Sequence, residues 1–69
     1  MKELKLRSEY ITLCQLLKAV DLVQDGVEAK IEIQSGHVLV NGETDTRRGR
    51  KLRAGDLVSF RGTDIKVTA

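Results

Sequence analysis

"DGVEAKIEIQSG", residues Asp25 to Gly36, can be written as a helix or as a strand, and the architecture of the chain turns on which it is. Ile31 and Ile33 alternate with polar residues, as in a half-buried strand. Ala29 with Ile33, and Val27 with Ile31, are instead spaced as neighbours on a helix face. Asp25 and Glu28 have the spacing of a capping box, and Gly36 stands where a helix would close on a left-handed residue. Period alone leaves both readings open.

Upstream the pattern is clearer. In "YITLCQLLKAV" the residues Leu13, Leu16, Leu17 and Val20 fall at i, i+3, i+4 and i+7, one face of an α-helix. Thr12 and Gln15 have capping-box spacing, and Ile11 is placed to pack on Leu16 as a hydrophobic staple. Gln15 and Lys18 then lie on the polar face. The opening "KELKLR" alternates Leu4 and Leu6 with charges and predicts a strand with one wet face.

Downstream, "HVLVNGETDT" reads as a hairpin. Val38 and Val40 alternate, and Asn41-Gly42 supplies the two positive φ angles of a type I′ turn, followed by a short polar return strand. "AGD" then predicts a turn, "LVSF" a strand, "GTD" another turn and "IKV" a last strand, so the second half forms an antiparallel sheet.

Between the hairpin and that sheet lies "TRRGRKLRAGD", with Arg47, Arg48, Arg50, Lys51 and Arg53 packed into seven positions. Five like charges this close repel one another, and a phosphate backbone would relieve that repulsion. Arginine predominates, and its planar fork suits bidentate phosphate contact. Gly49 would allow close backbone approach or a positive φ among the cations. A solvated charge run and a nuclear-import signal are the competing readings.

Composition bounds the rest. A chain of 69 residues, 41% hydrophobic, makes one domain, residues 1–69. The net charge is only +2, yet without the five loop cations the remaining seven basic residues are outnumbered by ten acidic ones. The pI of 8.9 therefore says less than the clustering does. Only Tyr10 and Phe60 are aromatic, which excludes a multi-aromatic platform for stacking bases. A lone Cys14 forms no internal disulfide and with the single His37 makes no zinc site, so no metal or cofactor is expected and a reducing cytoplasm fits. No apolar run approaches the ~20 residues that span a membrane. Neither Cys14 nor His37 has a partner that would make it catalytic, and the acids Asp21, Asp25, Glu28, Glu32, Glu43, Asp45 and Asp56 are scattered over caps and turns. The residue inventory points away from an enzyme.

The ordered set "ITLCQLLKAV", "DGVEAK" and "GHVLVNGETDTRRGRKLRAGDLV" resembles the RNA-binding domain named for small-subunit ribosomal protein S-four, the αL motif, in its small stand-alone bacterial form. The resemblance covers roughly residues 10–60 and is carried by order and spacing. It implies an α+β fold, two short helices packed on a small antiparallel sheet, and so a helix at Gly26 onward. It also implies that Thr12, Gln15 and Lys18, Lys30, and the basic loop share one RNA-facing surface. Asn41, explained first by turn geometry, offers a secondary contact from the exposed hairpin tip. Three departures stand out: Gly26-Val27 where the family often has Ser-Arg, Cys14 where stand-alone relatives often have glycine, and Ala54 where they often have proline.

The expectation is a non-enzymatic protein that binds structured RNA, of ribosomal or transfer RNA type, mainly by phosphate and shape contacts. The ribosome or an RNA-processing protein would be a further partner, and neither a membrane nor a small-molecule substrate is expected. The rival is a protein-interaction module docking the same cations on an acidic partner.

Overall fold

A computed structural model describes all 69 residues. Its elements in chain order are β1 (Lys2–Lys5), β2 (Ile11–Thr12), α1 (Leu13–Ala19), α2 (Gly26–Gln34), β3 (Val38–Val40), β4 (Glu43–Thr44), β5 (Lys51–Leu52), β6 (Leu57–Phe60) and β7 (Thr63–Thr68). The fold is α+β, as the resemblance implies.

The ambiguous segment is α2, and its two ends explain why. The Asp25 side chain accepts a hydrogen bond from the Glu28 amide at 2.8 Å, while the Glu28 carboxylate reaches one residue beyond the cap, to the Gln24 amide at 2.7 Å. At the other end Gly36 has φ +83°, its amide donates to the Ile33 carbonyl, and the His37 amide donates to the Glu32 carbonyl. That pair of bonds is a Schellman closure. Ala29 and Ile33 are fully buried, whereas Val27 and Ile31 are exposed. The strand-like alternation is therefore two helical stripes on opposite sides, one facing the core and one facing solvent.

α1 spans only two turns, too few to persist alone. Its capping box is complete: Gln15 N donates to Thr12 Oγ1 at 3.2 Å and Thr12 N to Gln15 Oε1 at 3.0 Å. Leu13, Leu16 and Leu17 are fully buried and carry its stability. It also closes in a Schellman pattern, with Asp21 at φ +60° in the left-handed position.

The main sheet has strand order β1-β7-β6-β3-β4. Type I′ turns at Asn41-Gly42 and at Arg61-Gly62 set its hairpins, both residues of each pair having positive φ. The second turn thus falls one residue before the "GTD" expected, and β7 starts at Thr63. Three pairings are antiparallel, but β1 runs parallel to β7, with Leu4 opposite Val67. Hairpin turns dictate direction only between neighbours in sequence, and β1 is separated from β7 by nearly the whole chain.

One face of the sheet carries Val38, Val40, Val58, Phe60, Ile65 and Val67 into the core beneath the helices, and Leu52 of β5 joins them. The other face, with Asp64 and Lys66, is wet. Cutting Leu16 or Ile33 back to alanine in such a core costs about 2–5 kcal/mol. No helix is long and apolar enough to cross a membrane.

Candidate nucleic-acid interface

The basic loop is tied to the start of α1 by main-chain atoms. Helix starts leave amides without intrahelical acceptors, and here the loop supplies two: Leu13 N donates to the Arg50 carbonyl at 2.9 Å and Cys14 N to the Arg48 carbonyl at 3.1 Å. A two-stranded ribbon continues the tie, with Ile11 opposite Leu52 and Thr12 opposite Lys51. The loop is thus an ordered structure that serves as the cap of a helix.

Its charge is partly balanced from within. Asp45 is buried, and its carboxylate accepts from Arg47 N at 2.9 Å, Arg47 Nε at 3.1 Å, Arg47 Nη2 at 2.9 Å and Arg50 Nη1 at 2.6 Å. The Arg47 hydrogen bonds hold the Asp45 carboxyl far below the usual carboxylate range, outweighing burial, which acts the other way. The repulsion read from the sequence therefore has an internal counter-anion, and Asp45 is no scattered turn acid. Arg48, Lys51 and Arg53 form no ion pair. Gly49 has no positive φ, so that role expected of it is not used, and a Cβ there would meet nothing within 4 Å.

Other candidates fall into two groups. Cys14 and Lys18 lie one turn apart on α1, and Lys18 Nζ sits 3.9 Å from where a Gly26 side chain would begin. Lys30 lies one turn beyond Gly26. Lys18 and Lys30 thus both lie near Gly26, while the loop meets α1 through the Arg48 carbonyl. By contrast Thr12 Oγ1 and Gln15 Oε1 are spent on the capping box, and Asn41 on the fold: its Nδ2 donates to Asp56 Oδ1 and its Oδ1 accepts from Leu57 N. Burial raises the Asp56 carboxyl, but hydrogen bonds from the Arg53 amide and Asn41 outweigh it and leave it lowered.

An S4 domain profile matches residues 4–68, nearly the whole chain. The chain belongs to the S4 domain family.

This S4 domain is 51% identical over 55 residues to RlbA of Bacillus subtilis (strain 168), named a probable ribosome maturation protein, covering 80% of this chain and 78% of that one. It is 42% identical over 60 residues to YbcJ of Escherichia coli (strain K12), covering 87% and 86%. The solution structure of E. coli YbcJ, described as revealing an αL motif involved in RNA binding, superposes with a TM-score of 0.77 at 38% identity, over 100% of this chain and 89% of that one.

Two residues of the S4 domain's basic surface escaped the sequence reading. Asp45 could have been found from Asx-turn spacing, an acid two residues before Arg47. Tyr10, exposed beside the loop, has Lys51 Nζ 4.9 Å and Arg53 Cζ 6.0 Å from its ring centre. Only the long-range β2–β5 pairing brings these together. The S4 domain holds no group of three His, Cys, Asp or Glu side chains arranged to bind a metal ion.

Proposed function

We propose that this S4 domain binds structured RNA, of ribosomal or transfer RNA type, without catalysing a reaction on it, and that it works in the cytoplasm. The observation that carries the reading is the main-chain tie between loop and α1, which presents Arg48, Lys51 and Arg53 unpaired on an ordered surface. Lys18 and Lys30 extend that surface. Arg47, still largely exposed beside Asp45, and Arg50 add to it. A-form RNA has a major groove too deep and narrow for side chains to read, so such a surface grips phosphates, 2′-hydroxyls and minor-groove edges. Thr12, Gln15 and Asn41 contribute mainly by holding the cations in place. The name of the B. subtilis relative favours ribosomal RNA, and a ribosomal or RNA-processing protein as companion.

With about five phosphates neutralised, log affinity falls with log salt at a slope of roughly −3.5 to −4.5. A titration of binding to a structured RNA measures it, and a slope near zero would remove the reading. Unchanged affinity after replacing Arg47, Arg48 and Arg50 together by alanine would do the same.

One observation favours a second reading, a protein-docking module: Val27 and Ile31 leave an apolar stripe exposed on α2. An interaction with cell extract that survives RNase would support it.

A further inference from the structure

Tyr10 is exposed, whereas Phe60, the other aromatic residue, is sealed in the core. In the ribbon of β2 and β5, Ile11 pairs with Leu52 and Thr12 with Lys51. Side chains alternate across such a ribbon, so Leu52 turns into the core while Tyr10, Thr12, Lys51 and Arg53 share the outer side. Lys51 and Arg53 both lie against the Tyr10 ring, and neither side chain forms an ion pair. The ring is mounted on fixed backbone, since Ser8 Oγ donates to the Tyr10 carbonyl at 3.0 Å and the next residue enters the ribbon. Beside it, between residues 3–11 and α1, opens a cleft of about 790 Å³ lined by Leu6, Ile11, Gln15 and Val20 among others. Gln15 accepts the Thr12 amide through Oε1, and its Nε2 makes no hydrogen bond.

We propose that the outer side of this ribbon is a subsite for one unpaired nucleobase: the base stacks on Tyr10, Lys51 and Arg53 take its flanking phosphates, and Gln15 Nε2 donates to its edge. The proposal rests on the RNA-binding reading and deepens it. Phosphate alone would satisfy the cations and an apolar side chain alone the ring; an extruded nucleotide carries both chemistries. Stacking is tolerant of base identity and contributes about 1–3 kcal/mol per base. The ribbon thus selects RNA helices interrupted by an unpaired residue over continuous ones.

The test uses three hairpin RNAs: one with a single bulged adenosine, one with an abasic residue at the bulge, and one fully paired. Wild-type protein is expected to bind the first about 5- to 150-fold more tightly than the abasic one. That ratio holds between about 50 and 200 mM salt while all the affinities fall. Tyr10→Phe keeps the preference and Tyr10→Ala abolishes it. The chain has one tyrosine and no tryptophan, so protein emission reports Tyr10 alone and is quenched by the bulged adenosine and not by the abasic hairpin. Equal wild-type affinity for the adenosine and abasic hairpins, with salt-dependent binding intact, overturns the subsite and leaves the RNA reading standing. Failure to bind any of the three overturns both. A Tyr10→Ala protein that keeps the preference assigns stacking elsewhere and overturns the role of Tyr10.

Discussion

Two carboxylates in this molecule each bind two basic side chains, and they do different jobs. Asp45 binds Arg47 and Arg50, two and five residues ahead, and also a main-chain amide of the same loop. Glu32 binds His37 and Arg61, joining the end of α2 to the β6–β7 turn 29 residues away, through side chains alone. Asp45 therefore adds a side-chain clamp to a loop otherwise held by main-chain bonds, Arg50 N to the Arg47 carbonyl within it and the tie to α1, whereas Glu32 clasps two elements already closed by a Schellman motif and a type I′ turn. The same chemistry steadies a loop in one place and fastens finished parts in the other.

The largest break in that comparison is expected from Asp45→Ala. It removes charge-assisted bonds from a buried carboxylate and costs about 2 kcal/mol, a fall in Tm of roughly 8–16 °C for a domain this size. Amide exchange should accelerate throughout residues 46–53. The substitution also reshapes the acid limb of the stability curve. A carboxyl whose folded pKa is depressed contributes stability that is fully present above its unfolded value, near 3.8 for aspartate, and is lost as pH falls through the folded value. Wild-type stability should drop below about pH 4, and more shallowly in Asp45→Ala. Acid denaturation curves of equal steepness would contradict this.

Glu32→Gln should have the next effect. The His37 hydrogen bond, with help from Arg61 and against some burial, lowers the Glu32 carboxyl below its ordinary 4.5, so this contribution too fades with acid. The clasp is surface-exposed on the side of its basic residues, where such contacts are screened and contribute little. The expected Tm loss is less than half that of Asp45→Ala, with exchange in residues 46–53 unchanged. If that loop loosened as well, the two cages would not be separable.

Smallest is a substitution outside both cages. Gly55 has φ +99° and the Asp56 amide donates to the Arg53 carbonyl, a type II turn with Ala54 at its second position. The Ala54 amide makes no hydrogen bond. Ala54→Pro is expected to gain about 0.4–1 kcal/mol by restricting the unfolded chain, read as a rise in denaturant midpoint at unchanged slope.

What the sequence made legible was local chemistry: the Thr12–Gln15 box, the Asn41-Gly42 turn, the Gly36 closure and the cation cluster. Each depends on atoms a few residues apart. The direction of β1, the Tyr10–Lys51–Arg53 cluster and the Lys18–Gly26 approach depend on segments that meet only in the fold. α2 is ambiguous by period because its two apolar stripes, Val27–Ile31 and Ala29–Ile33, interleave. Asp45 was overlooked because its charge was counted as one acid among ten and not followed to the arginines that close on it.

The bonds from Leu13 and Cys14 to the loop fall on the Arg50 and Arg48 carbonyls, which any residue at those positions would supply. The side chains at positions 48, 51 and 53 can therefore be rewritten while the loop stays docked. The domain separates how the loop is mounted from the side chains it displays, and a library varied at those positions alone would change the displayed chemistry on one constant frame.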